Sequence, residues 1–180
     1  MNIRANPNQQ KFSYCPSCGK KDLNPASDKS FVCKSCGFCF YINCAAAAMA
    51  LILDDQGRLL VTVRKKDPSK GALDLPGGFA EPGEGIFQSL IREVKEELNL
   101  DITQLSFLCS FPNTYVYKSV TYPITDMAFF CTVKNFDSIT AKDDVADFKF
   151  VFLEDVNTDA FAFSSTKNVI EYFKEIKKGL

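Results

Sequence analysis

Three glutamates, Glu93, Glu96 and Glu97, sit three and four residues apart in the stretch LIREVKEEL. If that stretch is helical, the spacing places the carboxylates on one stripe. Like charges stacked this way destabilise a helix by about 0.2–0.5 kcal/mol per pair. Such a stripe is tolerated on an inert solvated face, or where divalent cations bind. Oxygen-only donors suit magnesium or manganese rather than zinc. Arg92 stands where it can pair with a neighbouring carboxylate and fix its rotamer. A Glu-rich helix alone is usually just a solvated face. This one is preceded by a Gly- and Pro-rich loop, LPGGFAEPGEG from Leu75 to Gly85, that brings Glu81, Glu84 and the N–H groups of Gly77 and Gly78 beside it.

A second constellation lies near the N-terminus. Six of the eight cysteines fall before residue 45. Cys15 and Cys18 form one C-x-x-C-G knuckle, Cys33 and Cys36 a second, with 14 residues between Cys18 and Cys33. That spacing predicts four thiolates around a structural zinc ion, with the glycine after each pair letting the backbone turn under the metal. A segment of some 40 residues needs such a staple to hold a core. Cys39 and Cys44 are weaker ligand candidates. Cys109 and Cys131 read as small buried hydrophobes. The chain has no His, so Ser-His and Cys-His catalysis and mixed Cys/His zinc sites are excluded.

The elements that must carry these groups follow from pattern. The chain has 180 residues, 46% apolar and 24% charged, with a net charge of −1. That predicts one full domain plus a small module, and excludes a disordered chain or a strongly basic nucleic-acid arm. The longest apolar run, Cys44–Leu53, stops at ten residues, too short to span a membrane. The first residues, MNIRANPNQQ, lack the apolar core of a signal peptide, so a cytoplasmic location is expected. Ala45–Leu53 and Arg58–Lys65 read as strands around an Asp-Asp-Gln-Gly turn, although alanine alone favours helix. The glycine-rich loop reads as irregular throughout. A helix is predicted from about Glu84 to Leu98, with an apolar face of Ile86, Phe87, Leu90, Ile91, Val94 and Leu98 and a left-handed cap at Asn99. Leu105–Tyr117, Ile124–Val133 and Phe148–Leu153 read as strands. Ser165–Lys178 reads as an amphipathic helix capped by Ser164 or Ser165. Strands interleaved with two helices give an α/β or α+β sandwich.

Gly78, Glu84, Arg92, Glu93, Val94, Glu96, Glu97 and Leu100 together resemble the signature of the Nudix hydrolase family, G-x5-E-x7-R-E-U-x-E-E-x-G-U, where U is a bulky aliphatic. Asn99 stands where the family has Gly; the position looks like a helix cap, and Asn is the next best residue there. The resemblance covers about residues 43–178. It implies an α/β/α sandwich with a mixed sheet over 43–180, preceded by a small β zinc ribbon over 1–42. It also implies an enzyme that hydrolyses the diphosphate bond of a nucleoside diphosphate linked to another moiety. Carried over by motif, Glu93 and Glu97 are the main ligands for magnesium or manganese. Glu96 is a ligand or the base that activates water, Glu84 lies in the outer shell, and Arg92 orients Glu93. A later loop is expected to add an acid from Asp143, Asp144 or Asp147, with Asp144 the choice. Gly77, Gly78, Arg64 and Tyr115 are candidate substrate contacts, and Lys65 and Lys66, which follow Arg64, read either as further phosphate contacts or as a solvated charge cluster.

A four-cysteine ribbon before such a domain is similar to NADH pyrophosphatase-like members. Their further motif, Ser-Gln-Pro-Trp-Pro-Phe-Pro, is replaced here by Ser110-Phe111-Pro112-Asn113-Thr114-Tyr115. The substrate therefore stays open between NADH-like and ADP-ribose-like compounds. The alternative is a nucleotide-sensing protein whose ribbon contacts nucleic acid or a partner. The intact Glu93, Glu96 and Glu97 favour the enzyme. Ribbon residues Arg4, Lys11, Lys20, Lys21, Lys29 and Lys34 against Asp22 and Asp28 leave only weak positive charge once a zinc–thiolate centre is counted, so nucleic acid is the lesser partner. Family members of this kind often form homodimers; no residue here demonstrates an interface.

Overall fold

Alanine content and neighbouring β-pattern compete over residues 45–52, and the pattern wins. In the computed structural model, which describes residues 5–178, this run is strand β4 (Ala45–Ile52). The expectations for Arg4 and for the first few residues lie outside that range. β4 alternates in what it touches. Met49 and Leu51 enter one apolar cluster, while Ala48, Ala50 and Ile52 enter another. β5 (Leu59–Arg64) does the same, with Leu59 and Val61 on one side and Leu60 on the other. Period-two alternation with both faces apolar is the signature of sheets covered on both sides.

Two helices provide the covers. α1 (Ile86–Leu98) contributes Leu90, Val94 and Leu98 to one cluster. α2 (Ser164–Lys178) contributes Val169, Ile170 and Phe173 to the other. The sheets between them order as β7-β4-β9-β8 and β10-β5-β6. Their remaining strands are β6 (Leu73–Asp74), β7 (Gly77–Phe79), β8 (Ile102–Tyr117), β9 (Val120–Val133) and β10 (Val145–Val151). The result is the expected α/β/α sandwich. β8 and β9 join through Lys118 and Ser119, both left-handed at φ 45° and 65°, the backbone of a two-residue hairpin turn.

The glycine-rich loop is more regular than its composition suggests. Gly77–Phe79 pairs antiparallel with β4, in the register Ala47↔Phe79, Ala48↔Gly78, Met49↔Gly77. Tertiary pairing across about 30 residues of chain supplies hydrogen bonds that local composition cannot signal. Asn99 caps α1 as expected, at φ 56° and ψ 30°, with its N–H donating to Lys95 O and its side chain to Ser138 O. Ser165 does not cap α2: its hydroxyl donates to the Asp126 carboxylate. Phe87 and Ile91 are not core residues either, being 52% and 42% exposed.

The chain divides into two compact units. One runs up to Ala45 and includes Thr114–Ile124; the other holds Ala46–Asn113 and the chain from Thr125 on. In the first, β1 (Leu23–Pro25), β2 (Ser30–Cys33) and β3 (Cys39–Tyr41) form an antiparallel sheet. Its core is Cys15, Leu23, Phe31, Cys33 and Ile42, with Phe12 and Phe40 against them. The Asn8 side-chain amide grips the Thr121 backbone, its Nδ2 donating to Thr121 O at 2.8 Å and its Oδ1 accepting the Thr121 N–H at 2.7 Å. Among the described residues no helix is long and apolar enough to cross a membrane.

Candidate active site and metal centres

α1 begins where Gly85 N–H donates to the Gln88 side chain at 2.9 Å, which fixes the junction of loop and helix. From there the three glutamates of the stripe diverge in depth. Glu97 is buried at 9% exposure, Glu93 retains 17% of its side chain in solvent, and Glu96 retains 50%. The reason is helical phase. Glu97 follows Val94 by three residues and so turns toward the core, whereas Glu96 turns outward.

Each carboxylate has a distinct partner set. Glu97 Oε2 accepts the Gly77 N–H at 2.9 Å. Burial pushes the Glu97 carboxyl up to about 8; the Gly77 hydrogen bond opposes this, and the charges of Glu93, Asp74 and Asp143 reinforce it. Burial also raises Glu93, against the pull of Arg92. Glu84 goes the other way, held down to about 2 by the Arg92 guanidinium and the Glu81 N–H. Arg92 is the hub. Its Nε and Nη2 grip both Glu84 oxygens at 2.7 and 2.9 Å. Its Nη1 reaches Glu93 at 2.9 Å and Glu96 at 3.0 Å, and Nη2 also donates to Phe79 O at 3.2 Å. The fork thus fixes Glu84 bidentately and ties two stripe glutamates to one edge.

Gly78 faces the same carboxylates. A Cβ built there would lie 2.7 Å from Glu93 Cδ and Oε1. Only a residue without a side chain lets the strand pass that close. Both loop glycines therefore support helix carboxylates, and the Gly77 N–H is already engaged by Glu97.

The loop after β9 is anchored to the C-terminal end of α1. Thr140 N–H donates to Leu98 O and Lys142 N–H to Glu97 O. This places Asp143 where its charge acts on both Glu93 and Glu97. The Asp144 carboxylate is ion-paired with Lys66, and Asp147 accepts from its neighbour Phe148 N–H. Lys66 is 4.0 Å from Asp143 Oδ1 as well. Arg64 is committed elsewhere: Nη1 contacts Asp74 Oδ2 at 3.1 Å, Nε donates to Pro68 O, and the guanidinium lies 4.9 Å over the Phe163 ring. Tyr115 is half-buried in the 114–124 stretch that groups with the N-terminal unit. Asp74 and Asp143 were the residues whose importance sequence reasoning missed or ranked lower. The one available signal for Asp74 is its position directly before the Leu75–Gly78 turn.

Three carboxylates, Glu84, Glu93 and Glu96, thus share one guanidinium, and the charges of Glu97 and Asp143 act on the same group. A buried carboxylate raised to about 8 by burial and like charges, in an all-oxygen donor set, fits a divalent cation such as magnesium or manganese.

The cysteine site is geometrically tighter. The Sγ atoms of Cys15, Cys18, Cys33 and Cys36 all lie within 4.8 Å of one another. Two of the pairs, Cys15–Cys36 and Cys18–Cys33, are 3.7 and 3.8 Å apart. Zinc–sulfur bonds of about 2.3 Å put the edges of a tetrahedron at about 3.8 Å. Gly19 and Gly37, both at φ 75°, turn their N–H groups onto Cys15 O and Cys33 O. The four thiols fit a closed metal site. Cys39 and Cys44 are exposed and lie outside the group.

The NUDIX domain model matches residues 44–173. The chain belongs to the Nudix family. Among curated proteins, it is 29% identical over 101 residues to the NAD-capped RNA hydrolase NudC of Pseudomonas fluorescens, covering 56% of this chain and 36% of that protein. It is 42% identical over 55 residues to the ADP-ribose pyrophosphatase of Methanocaldococcus jannaschii, covering 31% of this chain and 32% of that protein. The matches thus span about a third of these relatives' length. A NUDIX hydrolase from Nitrosomonas europaea superposes with a TM-score of 0.69 over 93% of this chain and 94% of its own, at 18% identity. The NUDIX domain of Shewanella oneidensis NrtR, solved with ADP ribose, gives 0.62 over 74% of this chain and 88% of its own, at 21% identity. These two share the fold.

Proposed function

We propose that this protein is a divalent-metal-dependent hydrolase that cleaves the diphosphate bond of an ADP-ribose- or NADH-like nucleotide. The observation that carries the reading is the depth-graded carboxylate set around Arg92, with Glu97 buried against the Gly77 N–H. Glu93 and Glu97 hold the cation, magnesium or manganese, and Asp143 joins them from the loop anchored on α1. Asp144, the acid preferred from sequence, is the second choice because Lys66 occupies it. The bound cation supplies charge neutralisation to the diphosphate and polarises its phosphorus. The chain's own groups do the rest. Glu96, the most exposed of the three, has an oxygen free to take the proton of the attacking water. Arg92 and Glu84 fix the rotamers of Glu93 and Glu96, and Gly78 leaves room for the Glu93 carboxylate. Lys66 contacts substrate, while Arg64 acts through Asp74. Residues 1–42 form the ribbon, holding zinc, and 43–180 the hydrolase domain. The location is cytoplasmic and the chain pairs as a homodimer, which light scattering would test.

The test is product chromatography with zinc-loaded protein and magnesium, offering NADH, NAD, ADP-ribose, diadenosine polyphosphates and nucleoside triphosphates. AMP released from one dinucleotide, and lost in Glu97→Gln, supports the reading. No turnover on any of them, in wild type and variant alike, refutes it for this panel. The second reading, a nucleotide sensor with a nucleic-acid-binding ribbon, then gains; it expects tight nucleotide binding without turnover and a salt-sensitive shift with RNA.

A further inference from the structure

Asp74 lies outside the signature, on β6, at the meeting point of three elements. Its side chain is only 15% exposed. Oδ2 holds Arg64 Nη1 of β5 at 3.1 Å. Oδ1 accepts the Thr166 hydroxyl from the first turn of α2 at 3.0 Å, and the Leu75 N–H at 3.0 Å. The main chain is held as well, with Thr62 Oγ1 donating to Asp74 O. Two residues on, Pro76 O accepts the Ala50 N–H at 2.8 Å. The next N–H is that of Gly77, which binds Glu97. The strap Leu75–Gly77 is therefore clamped at one end by Asp74, in the middle by β4, and presents its free donor to Glu97 at the other.

From this geometry we propose that Asp74 is a positioning residue for the reaction, clamping the strap whose Gly77 N–H sets the orientation of Glu97 as a cation ligand. The clamp rests on the hydrolase reading above for its consequence in turnover, but not for its consequence in cation binding. A buried carboxylate held by an arginine, a threonine and one N–H is rigid, and groups that orient a metal ligand typically contribute ~10–100-fold in affinity or activity. Its charge also acts on Glu97 directly, so the two carboxylates are linked through space as well as through the strap. Arg64 then has a role distinct from touching phosphate: it keeps the buried Asp74 charge paired.

The experiment uses full-length, zinc-loaded protein and manganese ion alone as the probe, read by electron paramagnetic resonance titration. Turnover on whichever nucleotide the wild type cleaves is measured in parallel. Asp74→Asn keeps the shape and one acceptor but loses the ion pair. It should weaken manganese binding by ~10-fold and lower kcat by a similar factor, with KM changed less than about twofold. Lys95→Ala breaks an exposed pair between Lys95 on α1 and Asp101 beyond its end, and should leave manganese affinity unchanged. Should Asp74→Asn not fold, Thr166→Val removes one contact to Oδ1 and should weaken manganese binding in the same direction. Unchanged manganese affinity in folded Asp74→Asn, or in Thr166→Val where that substitute is needed, with only a lower melting temperature, would overturn the proposal. Absence of turnover in the wild type would sink the hydrolase reading while the manganese titration still decides for or against Asp74.

Discussion

Replacing Glu97 by glutamine should stabilise the cation-free protein, and by an amount the site itself sets. In the fold the Glu97 carboxyl is pushed up to about 8 by burial and by nearby carboxylates. In the unfolded chain it titrates near 4.5. Between those values the folded state keeps a proton that the unfolded state has released. Stability is therefore highest below about pH 4.5, falls as pH rises toward 8, and levels off above it. At pH 7 the penalty is about 2.5 pH units at 1.36 kcal/mol each, or about 3 kcal/mol. Glutamine carries no charge to bury and still offers an oxygen to the Gly77 N–H. In magnesium-free, chelator-free buffer, Glu97→Gln should thus melt about 6–12 °C above wild type at pH 7, at about 2–4 °C per kcal/mol. At pH 5 the gap should shrink to less than about 1 kcal/mol. Adding magnesium should reverse the order, because a cation that binds the folded state raises only the wild type. Scanning calorimetry of zinc-loaded protein at pH 5, 7 and 8.5, with and without magnesium, reads all of this. A variant that melts at or below wild type at pH 7 and 8.5 without magnesium would refute the argument that Glu97 is held in unfavourable burial.

Gly78→Ala should lose at least ~100-fold in kcat, since its Cβ would displace the Glu93 carboxylate it meets at 2.7 Å; steady-state kinetics on the identified substrate checks this, and a loss under threefold contradicts the close-approach argument. Cys36→Ser should lower bound zinc well below the one ion per chain expected of wild type and expose residues 5–45 to limited proteolysis, because the ribbon core is small; metal analysis and a protease time course read both. Asn99→Ala should destabilise by about 1 kcal/mol, as alanine at φ 56° is strained and the bond to Ser138 O is lost. Asn99→Gly should cost less than alanine, and urea midpoints would show the ranking; equal losses would mean that the side-chain bond, not the left-handed backbone, is what matters there.

What the sequence determined on its own was whatever depends on short spacing. The three- and four-residue intervals of Glu93, Glu96 and Glu97 place them on one helix, and Asn99 ends it, because helix phase and caps are local. The two C-x-x-C-G knuckles define a four-sulfur cage for the same reason, as each knuckle is built within five residues. Motif spacing likewise sufficed for the family. The tertiary structure decided the depth of each carboxylate, and with it the chemistry. Glu97 and Glu96 are adjacent and identical in type, yet one is buried and raised to about 8 and the other is half in solvent. Nothing local distinguishes Asp143 from Asp144 either; the backbone bonds from Thr140 and Lys142 to the end of α1 bring the Asp143 charge to bear on Glu93 and Glu97, while Asp144 pairs most closely with Lys66. Arg64 read as a candidate substrate contact, but Asp74, ten residues away, and Phe163, almost a hundred away, close around it. Burial and charge pairing are properties of which segments meet, and segments distant in the chain meet only in the fold.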